Sequence, residues 1–400
     1  MTAPFKPASF NPHDPAFLAN PYPTYARFRE EAPVSWVTPY NTWWCFRYED
    51  CQRILTGTDL FLKNNPVPDS GPPTPVAGVL SAMPESVFSL DNPRHDQVRP
   101  ILDGLFATAI EQAVPWATAL AQQLLVTAKA SRQFELMNAY ALPLPSGVLQ
   151  RVLGVAPADF AGLTNWVTAI VAANDITAPM SVRMGGLTCS MALNAYYQAL
   201  GRCPMHNPTA MFDLMRDQGM KAPQGLSLDE VQTNAVTLSI AGYYSTTFLI
   251  GTGTLNLLAH PDQLALLRRT PSLMPQAVTE MLRFDGPVQL INRYVAAATE
   301  IGGVQLKPGD VVTAVTGSAN HDSSVFPDGD RFDITRTENA HQSFGAGIHY
   351  CLGAPLAERV APVAFQVLLD QLPNLRLAGT PQWRTDPFLR APSNLPIAYG

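Results

Sequence analysis

The run Phe344-Gly345-Ala346-Gly347-Ile348-His349-Tyr350-Cys351-Leu352-Gly353 restricts this chain more than any other segment. Its glycines allow a tight loop that brings backbone amides close to the cysteine sulfur. The residues that follow, Leu352 to Val360, read as a helix start. Cys351 then sits at a helix N-terminus, where the helix dipole favours thiolate over thiol. A cysteine standing alone is usually a small buried hydrophobe. The thiolate is the nucleophilic and metal-binding form of cysteine.

The other four cysteines, Cys45, Cys51, Cys189 and Cys203, have no metal-ligand spacing and read as reduced, packed thiols. A formal charge of −6 and few Lys and Arg argue against a nucleic-acid surface. The first residues, Met1 to Pro7, carry neither a basic region nor an apolar stretch, and no run of about 18 apolar residues occurs. The expectation is a cytoplasmic protein with no membrane span. At 400 residues the length suggests two domains, but no linker, charge block or repeat divides the chain, so residues 1–400 read as one large domain.

Asn20 to Val34 reads as a short amphipathic helix ended by proline, followed by strands at Val34–Val37 and Thr42–Arg47. Lys63 to Glu85 is rich in Pro, Gly and Ser and reads as a long loop. Helical periodicity then dominates from about residue 96 to 285, broken by turns such as Pro143-Leu144-Pro145 and Arg202-Cys203-Pro204. The clearest helix opens with the capping box Ser227-Leu228-Asp229-Glu230 and runs to about Leu258. At 1.5 Å per residue it is roughly 45 Å long, enough to cross the molecule. Strand-type runs return at Gln289–Val295 and Asp310–Val315. The fold class is mainly α with a minor β region.

Two spacings carry charge. Glu280 and Arg283, at i and i+3, share a helix face and can form a buried ion pair. His95 and Arg99, at i and i+4, share another face, from which both can reach a carboxylate.

The full pattern Phe-Gly-x-Gly-x-His-x-Cys-x-Gly resembles the heme-thiolate loop of the cytochrome P450 family. Further landmarks of that family appear in order from about residue 20 to the C-terminus. The resemblance implies heme b (iron protoporphyrin IX) buried between the long distal helix and the proximal loop, with Cys351 as the iron ligand. It also implies cofactor contacts from Phe344 and Gly353, and propionate contacts from His95, Arg99, Arg293 and His349. Glu280 and Arg283 become part of an ion-pair triad, completed by Arg336 in preference to Arg331.

The distal helix departs from the family pattern of small residue, Gly, any residue, acid, Thr. Here the run is Ala241-Gly242-Tyr243-Tyr244-Ser245-Thr246-Thr247. Ala241 and Gly242 leave room for oxygen, but Tyr244 stands in the place of the acid and Ser245 in that of the threonine. A phenol with a pKa near 10 is a poor substitute for a carboxylate that cycles its proton. Either both tyrosines only line an apolar pocket, or protons come through Ser245, Thr246, water or a polar group of the substrate.

By the same resemblance, Val87–Ser89, Val167–Met184, Val288–Ile291 and Phe388–Asn394 wall a pocket for a largely apolar small organic substrate. The implied function is a bacterial-type monooxygenase, fed by a separate ferredoxin- or flavodoxin-type donor with its reductase. An acidic donor would dock on basic residues such as Arg94 and Arg359, and the protein would act as a monomer. Two other functions fit the missing acid: a family member performing oxidative coupling, ring formation or peroxide-driven chemistry, or a catalytically silent heme sensor.

Overall fold

The computed structural model describes residues 7–67, 85–175, 178–205 and 207–400. Most of the proline-rich segment expected as a long loop lies outside them. The N-terminal helix α1 is Tyr22–Glu31, and strands β1 (Val34–Val37) and β2 (Thr42–Cys45) pair as an antiparallel hairpin. After helix α2 (Tyr48–Thr56) comes the short strand β3 (Phe61–Leu62). Two distant strands complete this sheet, β4 (Ile291–Val295) and β5 (Val311–Ala314), giving the order β1-β2-β5-β4-β3. All four residues of β5 are buried, as a central strand of Val-Val-Thr-Ala covered on both faces should be.

The helical body contains α3 (Arg94–Ala109), α4 (Ala113–Ala128), α5 (Pro143–Leu153), α6 (Phe160–Ala173), α7 (Met180–Arg202), α8 (Leu228–Ala259), α9 (Met274–Asp285) and α10 (Ala354–Gln371). Pro143 and Pro145 do not form the expected turn. Pro143 opens α5, because a proline in the first helical turn removes no intrahelical hydrogen bond. The turn at Cys203 is as read, with α7 ending at Arg202.

The 32-residue α8 is the axis of the molecule. Both halves of its capping box form, Glu230 N donating to Ser227 Oγ at 3.1 Å and Ser227 N to Glu230 Oε2 at 2.7 Å. Its C-terminal half is buried on nearly every face, which suits a helix apolar all round. It packs on α5, α7, α9 and α10. At Gly253 a Cβ would come within 2.5 Å of the Phe365 ring of α10. That contact draws the helix after the cysteine loop against the distal helix.

One hydrophobic cluster runs from Val87 to Ile397 around α8, and smaller clusters sit under the sheet and against the N-terminal segment. No helix among the described residues is long and apolar enough to cross a membrane. Near the C-terminus a hairpin, β6 (Gln382–Trp383) and β7 (Pro392–Asn394), carries its tip back to the 288–291 segment through a Val288–Leu389 bridge.

Candidate active site

The cysteine loop is built by its own backbone. Cys351 N donates to Phe344 O at 2.9 Å, and Tyr350 N to Gly347 O at 3.0 Å. Gly345 and Gly347 have φ of 72° and 70°, in the left-handed region where a side chain is strained. At Gly347 a Cβ would also meet Leu55 O at 2.7 Å. Helix α10 starts at Ala354, so Cys351 lies just before it.

The amides of Gly353 and Ala354 and the charge of Arg99 pull the Cys351 pKa down, as a helix N-terminus should. Burial outweighs them and pushes the thiol up. The expected pull of the helix start toward thiolate is present, but desolvation is larger. A coordinated metal deprotonates such a thiol outright.

Arg99 reaches the loop from α3. Its Nη1 donates to Ile348 O at 3.1 Å and Tyr350 O at 2.6 Å, while Nε donates to Asp103 at 2.8 Å. It therefore braces the loop through Nη1, while Nε is held on its own helix by Asp103. One turn earlier on the same face, His95 is buried, 4.5 Å from the ring of His349, and neither ring nitrogen makes a hydrogen bond, Nδ1 lying 3.8 Å from Asp96 Oδ1.

Arg293 of β4 is buried as well, and desolvation lowers its pKa to about 10. His349 is pushed down to about 2 by burial, and then by the charges of Arg293, Lys63, His95 and Arg99. Lys63, absent from the expected set, is held well below the usual lysine range by desolvation and then by Arg293. Its only sequence signal is a lysine directly after the apolar end of β3. Asp91 acts on Lys63, His95 and Arg293 from nearby, but it also accepts hydrogen bonds from the backbone of Lys63 and Asn64.

Crowding like charges in a low-dielectric site is unfavourable unless an anion joins them. These residues therefore fit a dianionic cofactor held by a cysteine: crowded basic side chains that share the one nearby carboxylate Asp91, and an imidazole without a hydrogen bond beside the cysteine loop.

Behind the loop lies the expected ion-pair triad. Arg283 donates from Nε and Nη2 to Glu280 at 2.8 and 2.7 Å, and both side chains are 0% exposed. Arg283 also donates to Asn320 O, Gly329 O and Arg331 O, and Glu280 accepts from Asp333 N and Asn339 Nδ2. Arg336, 12% exposed, completes the triad at 3.4 Å from Glu280, whereas Arg331 is 65% exposed and pairs with Asp333.

Arg94 is not a free docking charge. Both its Nε and Nη2 donate to Glu230 of the α8 capping box, tying α3 to α8. Arg359 donates to Ile110 O.

On α8, Ala241 is exposed and Tyr244 and Ser245 are half-buried, in a helix whose other faces are packed. Ser245 Oγ donates back to Ala241 O at 3.3 Å. Gly242 is turned aside. A Cβ there would meet Leu149 of α5 at 3.0 Å, so its small size serves helix packing, where room for oxygen was expected.

Thr246, five residues on from Ala241, lies about 140° around the helix and is buried. The structure does not bring it to the open face with Ser245.

Tyr243 is buried, with the Thr168 and Thr164 hydroxyls near its own but no close hydrogen bond formed. Burial raises the pKa of Tyr243 and Tyr244, and the Thr168 hydroxyl opposes the rise at both. Tyr244 stacks among Tyr243, Phe248 and the guanidinium of Arg384, the last 6.0 Å from its ring. Arg384 was invisible to sequence reasoning, because nothing local marks a hairpin arginine as turned inward.

The cytochrome P450 family model matches residues 271–386, the stretch from the ExxR helix through the cysteine loop to the hairpin. A biotin biosynthesis cytochrome P450 of Bacillus subtilis (strain 168) is 31% identical over 388 residues, covering 96% of this chain and 97% of its own. The 6-deoxyerythronolide B hydroxylase of Saccharopolyspora erythraea is 31% identical over 396 residues, covering 96% of each. The solved structure of the bacillaene polyketide synthase cytochrome P450 PksS from Bacillus subtilis 168 superposes with a TM-score of 0.88, at 28% identity, covering 98% of this chain and all of that one.

Fold and relatives together define a heme-dependent oxidoreductase. The chain belongs to the cytochrome P450 family, whose members bind heme b.

Proposed function

We propose that this protein is a monooxygenase that inserts one oxygen atom from dioxygen into a largely apolar small organic molecule. Cys351 would ligate the iron. His95, Arg293, His349 and Lys63 would hold the cofactor's carboxylates, Phe344 and Gly353 would shape the loop that presents the sulfur, and Arg99 keeps that loop in place. When bound, the heme supplies the dioxygen-activating chemistry, and thiolate ligation favours O–O cleavage.

The observation that carries the reading is His95, a buried imidazole without a hydrogen bond at either nitrogen, beside a cysteine loop braced from its own helix. Ala241 leaves space on the distal side, and Ser245 on the open face of α8 turns its hydroxyl back to Ala241 O, so water or a polar group of the substrate supplies the protons. Electrons come from a separate ferredoxin- or flavodoxin-type donor, and the protein works as a cytoplasmic monomer.

Small molecules that shift the heme spin state should be turned over with a surrogate ferredoxin and its reductase under labelled dioxygen. The product should gain one labelled atom. Turnover supported only by peroxide, or a coupled product without label, would replace this reading by the coupling or peroxide-driven alternative, which the missing distal acid favours.

A further inference from the structure

We propose that the substrate carries a carboxylate and that Arg384 is the residue that pairs with it. This deepens the monooxygenase reading and rests on it. Arg384 is placed by the β6–β7 hairpin, where its backbone N donates to Ala391 O at 3.2 Å. Its guanidinium carbon lies 5.0 Å from the ring of Phe248 and 6.0 Å from that of Tyr244. At 100° per residue, positions 241, 244 and 248 of α8 fall within about 60° of one another. The guanidinium therefore lies along the helix face that carries Ala241, and against the residue that replaces the usual acid.

Arg384 makes no side-chain hydrogen bond and no ion pair among the described residues, and its Nε is buried without a partner. The comparison with Arg390, six residues along the same hairpin, shows what a structural arginine looks like here. Arg390 donates to Asp285, Leu18 O and Ala19 O and stacks on Trp383 at 4.0 Å.

The acid closest in sequence, Asp386, makes no hydrogen-bonded ion pair with Arg384. Its carboxylate accepts from Phe388 N, and burial pushes it up to about 6 against only a through-space pull from Arg384. Asp175 accepts from Thr385 instead. The rings of Tyr244 and Phe248 offer a cation only their faces, a weaker interaction than a hydrogen-bonded charge pair.

The Arg384 side chain is half-buried, its Nε is enclosed without a hydrogen bond, and a planar fork of donors is best matched by a carboxylate. The hairpin tip beside it presents Phe388 and Leu389, the latter bridged to Val288, so the rest of the ligand is apolar.

The test uses the heme-loaded full chain. Decanoic, dodecanoic and tetradecanoic acids and their methyl esters are titrated by the spin-state shift of the heme band, with calorimetry as a second readout. The acids should bind about tenfold or more tightly than their esters, and salt should weaken only the acids. Arg384→Gln should bring the acids to the affinity of the esters, while ester and imidazole binding change less than about twofold. Arg384→Lys, which keeps the charge but loses the fork, should retain a reduced preference.

Equal affinity for acid and ester in the native protein overturns the proposal without any variant, as does no binding of any acid. An Arg384→Gln protein that keeps the preference overturns it too. A normal ferrous carbonyl band and normal imidazole binding in those cases leave the heme-thiolate reading standing, so the two failures are distinguishable.

Discussion

The two sides of this molecule handle buried polar groups in opposite ways. Behind the cysteine loop, Glu280 and Arg283 are wholly enclosed, and every charged end of the pair is answered by another side chain or a carbonyl. Around the distal helix, Tyr243 Oη and Arg384 Nε are enclosed without a close hydrogen bond. Satisfied buried pairs fix a structure, whereas unsatisfied groups mark where a ligand completes it. The proximal side thus reads as architecture and the distal side as specificity.

Perturbing the proximal side should have the larger consequences. Cys351→Ala should abolish the far-red-shifted band of the ferrous carbonyl complex, recorded by difference spectroscopy, while retention of that band would remove Cys351 as the ligand.

Next in size is Glu280→Ala, which strands Arg283 in the interior. Removing one partner of a buried pair costs about 3–5 kcal/mol, much of a typical net stability. Denaturant unfolding should show that loss, and the yield of heme-loaded protein should fall with it. A fully loaded variant that loses turnover alone would make the pair catalytic and erase the contrast.

A smaller, pH-dependent effect belongs to the distal hairpin. The folded pKa of Asp386 is raised to about 6 from an ordinary 3.8, chiefly by burial. The stability this carboxyl contributes is therefore fully present below pH 4 and is lost as pH rises through about 6. The shift corresponds to at most about 3 kcal/mol. Asp386→Asn should flatten the pH dependence of the melting temperature between pH 4 and 7 and be relatively more stable at pH 7. A variant whose profile parallels that of the native protein would show that Asp386 is hydrated.

The smallest expected change is in Ser245→Ala. If water or the substrate's own polar group supplies protons, coupling of electron consumption to product should stay within about twofold. Collapse into peroxide release would make Ser245 the proton carrier and turn α8 into a conservative variant of the family helix.

Much was legible in the sequence because it depended on neighbours in the chain. The capping box of α8, the i, i+3 geometry of Glu280 and Arg283, and the glycine-shaped turn before Cys351 are set by short spacings and backbone sterics. They appear in the structure where the residues place them. Pro143 misled, since a proline signals a break without saying whether a helix ends before it or begins at it.

What only the tertiary structure decided is how charges and small residues met across long separations. Lys63 joins Arg293 and His349, Arg99 braces the cysteine loop, Gly242 yields to Leu149, and Arg384 lies against α8 rather than in solvent. Each outcome depends on desolvation and on groups brought together by the chain path. Local spacing fixes which face a side chain takes on its own helix or strand, but its electrostatic partners are chosen by whatever the fold packs opposite.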